Sequence, residues 1–368
     1  MFKFVEFIDC FYSSSHIVMN LWFFPTLIIL SILMFYYVIW RFFVIFGNNS
    51  KIIPLVIAVI IAIIVILTFV YEWDSKILDV IWTLWSWIFV LWFLLLIMLL
   101  VENIISIWYK VNPRIVVWII IVILWIWTYF SLHTKITNLN IKSEKIHEDA
   151  KILLVSDIHT ENVMQTFHIN KILKAIETEK PDFVVLAWDL MNKPNSTYIN
   201  YFSKFKSVKN IPIFAVMWNH DVMWNTEVVK KIPEVSGIKF LNNETVEVNW
   251  IQLIWLIDKS LWWNNSVKGI MDQLEIDNNS DFSILVTHQP VRLEKLEDYP
   301  IDLEVAWHTH RGQFYGIMEL SRIANDYFYW EYNLWDKTAF VTQWIWTWWL
   351  PFRLWTQSEM VIINLKKK

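Results

Sequence analysis

Glycine is nearly missing from this chain. Its 368 residues include 5 glycines, where an average composition of about 7% implies roughly 26. Tryptophan, normally scarce, numbers 26. A single cysteine, Cys10, excludes an intramolecular disulfide and a cysteine-ligated zinc site. Charge is sparse as well: 18% of residues are charged, the net charge is -4 and 56% of residues are hydrophobic. No basic field is available for a phosphate backbone, which argues against nucleic acid as the main partner.

What is abundant is apolar sequence. Four stretches carry no charged residue: Leu21–Trp40, Ile52–Tyr71, Val80–Val101 and Ile115–Leu132. Each is long enough to cross a bilayer, which needs about 20 apolar residues, with a range of roughly 17–25. The expected architecture for residues 1–132 is therefore an α-helical membrane bundle of four spans, in an integral membrane protein whose partner is the lipid bilayer. Glu6 and Asp9 near the start break the basic-then-apolar order of a cleaved signal peptide. Four spans put the N-terminus and the remainder of the chain on one side. Arg41, Lys51, Lys110 and Arg114 fall in the loops of the other side, so the positive-inside rule favours an extracytoplasmic C-terminal domain. Lys135, Lys142 and Lys145 after the last run count against that orientation.

After Leu132 the character changes. Residues 133–150 are polar and read as a connector. Residues 151–368 read as an α/β domain. KILLVSD (151–157), FVVLAWD (183–189), IPIFAVMW (211–218), IQLIWLID (251–258), FSILVTH (282–288) and LEVAWH (303–308) have the length and apolarity of buried strands. Amphipathic stretches such as Thr166–Glu179 and Thr197–Val208 lie between them. Strand–helix alternation predicts a largely parallel core.

The polar residues that carry chemistry cluster at the C-terminal ends of those strands, where open α/β sheets place their ligands. Asp157 and His159 follow the first strand, Asp189 the second, and Asn219, His220 and Asp221 the third. His288 follows the fifth, and His308 and His310 the sixth. Singly, each is a turn, a cap or a partly exposed polar residue. Together, imidazoles, carboxylates and an amide form a mixed N/O donor set. That set suits a pair of borderline or hard divalent cations rather than a thiolate-loving metal.

The ordered blocks Asp157-Ile158-His159, Trp188-Asp189, Trp218-Asn219-His220-Asp221, His288 and Trp307-His308-Thr309-His310 resemble the signature of the calcineurin-like metallophosphoesterases. The resemblance covers about residues 150–366. Its last blocks, Trp307–Gln313 and Trp344–Arg353, look like those of the membrane-associated bacterial branch. It implies an α/β/β/α four-layer sandwich and hydrolysis of phosphate esters with two divalent ions, Mn, Fe or Zn. By the same resemblance, Asp157, His159 and His310 hold the first ion. Asn219, His288 and His308 hold the second, and Asp189 bridges them. His220 binds no metal and is the catalytic residue that either protonates the leaving oxygen or stabilises charge on the phosphoryl group, while Asp221 either orients a neighbour or caps a helix.

The departures from the family pattern share one theme. Tryptophan stands at motif glycine positions 188, 218, 307, 344 and 346, at one of 348 and 349, and at 355. Glycine is needed where backbone turns sharply or packs against a metal site. One cause accounts for all of them: a UGA codon read as glycine by the cell and as tryptophan in this sequence. Two further departures are mild. Asn192 stands where an acid often follows the second block, and Arg311 where a glycine often follows the last histidine. Arg311 either contacts a substrate phosphate or faces solvent. The function expected is a membrane-anchored phosphoesterase acting on a phosphorylated small molecule or lipid, or on a pyrophosphate. The alternatives are a membrane sensor or scaffold with a degenerate phosphoesterase domain, and, with least support, a channel or carrier, because the four apolar runs lack ionisable residues.

Overall fold

The computed structural model describes residues 16–45, 47, 49–70, 94–107, 109, 112–156, 158, 165–187, 196–216, 230–241, 243–256, 267–277, 281–307, 311, 322–323, 325–343, 345, 353 and 356–368. The chain divides into two units, Met1–Ile126 and Trp127–Lys368.

The first unit is helical. Helices span His16–Ile45 and Ile52–Val70, a further helical stretch covers 94–105, and helix Pro113–Leu132 runs on into the second unit. Phe35, Ile39 and Ala58 are buried together between the first two helices. Arg41 pairs with Glu102, and Asn103 donates to the Tyr37 hydroxyl. Among the described residues no helix is long and apolar enough to cross a membrane. This corrects both the four-span bundle and the integral membrane localisation expected from the sequence, and with them the extracytoplasmic orientation. The expectation rested on the length, apolarity and number of the charge-free runs, none of which by itself sets a helix across a bilayer. The expected third run, Val80–Val101, lies largely outside the described residues.

The second unit is built on two six-stranded mixed sheets. One has the order β1-β12-β2-β3-β4-β5, with β1 Lys135–Ser143, β2 Ala150–Ser156, β3 Phe183–Ala187, β4 Ile213–Val216, β5 Lys239–Leu241 and β12 Glu359–Lys367. The other has the order β10-β11-β9-β8-β7-β6, with β6 Thr245–Val248, β7 Ile251–Trp255, β8 Phe282–Val286, β9 Leu303–Ala306, β10 Trp330–Leu334 and β11 Lys337–Val341. All six runs read as buried strands form β2, β3, β4, β7, β8 and β9. Residues 133–150, read as a connector, contain β1, which pairs in parallel with β12.

Every side chain of β3, β7, β8 and β9 is buried, because each of these strands is covered on both faces. Alternation divides them between layers. Ile152, Leu154, Phe183 and Val185 of the first sheet meet Leu253, Ile284 and Val305 of the second in the core between the sheets. Leu153, Val155, Val184 and Leu186 point the other way, onto Ile169, Ile172 and Ile176 of helix Gln165–Glu179. Ile254 and Leu285 pack outward against Ile270, Met271, Leu293 and Leu296. The layers are thus helix, sheet, sheet, helix.

β10 and β11 form a hairpin in which Leu334 faces Lys337 across a two-residue loop. Its first loop residue, Trp335, is 60% exposed at φ +57°. A short hairpin loop needs positive φ there, which glycine adopts without strain. Left-handed backbone costs an L-residue about 1–2 kcal/mol, partly offset by the lower chain entropy of the bulkier residue. Trp335→Gly is therefore expected to raise stability by about 1 kcal/mol, read as a higher denaturation midpoint at constant slope.

Candidate functional site

The site follows from where the parallel strands stop. β2, β3 and β4 are parallel neighbours, with Ser156 opposite Ala187 and Leu186 opposite Ala215. They leave the first sheet along one edge, about 4.8 Å apart. Asp157 comes next after β2, Asp189 two residues after β3, and Asn219 three residues after β4. In the second sheet β8 and β9 are parallel neighbours with Val286 opposite Val305. His288 follows β8, and His308 and His310 follow β9. Asp157, His159, Asp189, Asn219, His220, His308 and His310 themselves lie outside the described residues, as does Asp221.

His288 is described. It is 3% exposed, and its ring meets that of Trp307 edge-on at 6.0 Å between centroids. The β8–β9 ladder continues past the strand ends, with Thr287 N–H donating to Val305 at 3.0 Å and Trp307 N–H to His288 at 3.2 Å. The backbone on either side of His288 is fixed by this ladder rather than by a loop alone. Trp307, at a motif glycine position, is fully buried within the core between the sheets.

One segment joins the two strand edges. Thr342 N–H donates to Ala306 at the end of β9 (2.9 Å), and Ile345 N–H donates to Ser156 at the end of β2 (3.3 Å). Three residues extend at most about 11 Å, so this short bridge keeps the two edges close. A carboxylate that the sequence reading passed over holds it. Glu359, 1% exposed at the start of β12, accepts from Thr137 Oγ1 at 2.6 Å, Thr342 Oγ1 at 3.0 Å and the Gln343 N–H at 3.3 Å. The Gln343 carbonyl in turn accepts from Arg353 Nη2 at 3.0 Å, and Arg353 is fully enclosed. That arginine closes the C-terminal motif.

A second buried carboxylate was also passed over. Glu304 on β9 is completely buried and accepts from the Thr287 hydroxyl at 3.0 Å and from the Val291 N–H, bracketing the segment that carries His288. A lone acid inside the apolar run LEVA was the available signal. Burial pushes the Glu304 carboxyl up to about 8, against the lowering effect of those two hydrogen bonds. It is therefore largely protonated at neutral pH.

Arg311 directly follows His310. It is half-buried, with φ +46°. Its guanidinium lies 4.1 Å from the centroid of the Tyr329 ring, and Nη1 donates to Gln343 Oε1 at 3.4 Å.

Among the described residues no group of three or more His, Cys, Asp or Glu converges as a metal site. The donor chemistry nevertheless fits divalent cations. Every expected ligand is an N or O donor within four residues of the end of a buried parallel strand, and His288 is a rigidly held imidazole.

Residues 150–312 match the calcineurin-like phosphoesterase family. Over that stretch the chain is similar to calcineurin-like metallophosphoesterase domains. The chain is similar to an uncharacterized metallophosphoesterase of Campylobacter jejuni, at 27% identity over 240 residues and 64% of each chain. An uncharacterized metallophosphoesterase of Aquifex aeolicus is 27% identical over 263 residues, 66% of this chain and 94% of that one. A transmembrane protein with metallophosphoesterase domain from Danio rerio is 25% identical over 63% of this chain and 57% of its own length. The chain spans less than two thirds of the length of the Campylobacter relative. The family implies a hydrolase acting on phosphate esters with divalent metal ions.

Glu304 gives the domain a pH signature. Its folded value of about 8 lies above its ordinary 4.5, so the folded state binds the proton more tightly than the unfolded chain. The stability contributed is complete below pH 4.5 and is lost as pH rises through about 8. Urea denaturation is expected to show stability falling across that window by up to about 1.4 kcal/mol per pH unit. Glu304→Gln, the neutral isostere, should flatten the slope.

Proposed function

We propose that the protein is a dinuclear metal-dependent phosphoesterase. The observation that carries this reading is the common edge: five parallel strands in two packed sheets stop immediately before the donor residues, and residues 342–345 tie the two edges together. Asp157, His159 and His310 would hold one ion, Asn219, His288 and His308 the other, and Asp189 both. When bound, two divalent ions of the Mn, Fe or Zn type activate a water and neutralise charge on the phosphoryl group. His220 would donate the proton to the leaving oxygen. Asp221 would orient a neighbouring group or cap the next segment. The substrate class is a phosphorylated small molecule or lipid, with a pyrophosphate included in the same chemistry.

The test is direct. Purified protein loaded with manganese, iron or zinc should bind two ions per chain and hydrolyse a generic aryl phosphate. Asp189→Asn should remove most activity together with metal. His220→Ala should lower kcat by about 10²- to 10⁴-fold with metal content unchanged. Binding of fewer than one ion per chain would exclude the reading.

We further propose that the cell places glycine at most of the 26 tryptophan positions. The composition and the motif positions support this, and the backbone adds to it. Trp330 at φ +76° and Trp335 at φ +57° occupy left-handed conformations, each costing a bulky residue about 1–3 kcal/mol. Peptide mass spectrometry of native protein is expected to find glycine at 188, 218, 307 and 335. Tryptophan at those positions would overturn the proposal.

A further inference from the structure

Arg311 stands in a conformation that its residue type does not favour, one position after the last expected metal ligand. At φ +46° the backbone belongs to glycine, the residue that often follows the last histidine in the family pattern. A strained residue persists where the surroundings over-determine it, most often at ligand-binding sites. The surroundings here are specific. One face of the guanidinium rests on the Tyr329 ring at 4.1 Å, and Nη1 reaches Gln343 Oε1 at 3.4 Å. Both supports are themselves anchored. The Tyr329 hydroxyl lies 3.5 Å from Glu359 Oε1, and the Gln343 N–H donates to Glu359 Oε2. Among the described residues no carboxylate forms an ion pair with Arg311. A planar fork fixed on one face and at one nitrogen offers its remaining donors in a set direction, the arrangement that suits a phosphate oxygen.

We infer that Arg311 grips a non-bridging oxygen of the scissile phosphate and makes the site selective for phosphomonoesters over phosphodiesters. The inference rests on the phosphoesterase reading above. A monoester presents three non-bridging oxygens and a diester two. Two cations held by the expected ligands would engage two of these oxygens, which would leave one for the Arg311 guanidinium only in the monoester. The extra negative charge of the monoester favours the same partner. A brace between Tyr329 and Gln343 is the competing role, and it predicts loss of stability rather than of selectivity.

The experiment uses the full-length manganese-loaded enzyme and two variants. Arg311→Gly removes the fork and suits the backbone; Arg311→Lys keeps the charge without the fork. Calorimetric titration with inorganic phosphate is expected to show affinity about ten- to hundredfold weaker in Arg311→Gly, with a smaller loss in Arg311→Lys. The ratio of kcat/KM for p-nitrophenyl phosphate over bis(p-nitrophenyl) phosphate should fall by a similar factor, while Tm holds or rises. Unchanged phosphate affinity in Arg311→Gly would overturn the inference. So would equal losses on both esters with a lower Tm. If the unsubstituted enzyme hydrolyses neither ester but its phosphate affinity still depends on Arg311, the anion contact stands and the hydrolase reading fails.

Discussion

The C-terminal domain depends on one buried carboxylate. Glu359 gathers hydroxyls from β1 and from the segment after β11, together with the Gln343 N–H, at a point enclosed from water. Each donor left unsatisfied in such a place would cost about 1–3 kcal/mol. The carboxylate thereby holds Thr342 and Gln343; Thr342 is hydrogen-bonded to the end of β9, and Ile345 to the end of β2. The two sheets already pack through apolar side chains, but apolar packing is non-directional. The polar bridge sets which strand ends stay together, and the expected donor residues follow those ends in the sequence.

The same economy governs the residues around the site. Glu304 spends its hydrogen bonds on the segment carrying His288 and keeps its proton, so no net charge is buried beside an expected metal position. Arg311 keeps its charge, with Tyr329 and Gln343 as supports. Tyr329 and Gln343 both lead back to Glu359. Disturbing that carboxylate would therefore act on the bridge and on the arginine together, which makes its effects non-additive with those of either.

Strands covered on both faces were legible in the sequence because they appear as short unbroken apolar runs, and all six such runs are strands. β1 was not. KITNLNIKS lies at a sheet edge with only Thr137 and Leu139 buried, so its composition is that of a polar segment. Glu304 and Glu359 were missed for a different reason: hydropathy marks an acid as a break in a run and says nothing about hydroxyls brought to it from distant residues. The expectation of four spans failed because the length, apolarity and number of charge-free runs do not by themselves set a helix across a bilayer. The motif spacing was the most informative feature. Its blocks fall directly after the strands that are neighbours in space, although of the seven expected ligands only His288 is among the described residues.

The central claim is that one site is assembled from the strand ends of both sheets. Anomalous diffraction from crystals of the manganese-loaded protein tests it most directly. The account predicts two peaks about 3.5–4 Å apart, one touching Asp157 and His159 from the first sheet and the other touching His288 and His308 from the second, with Asp189 between. Peaks confined to residues of one sheet, or located away from these strand ends, would contradict it.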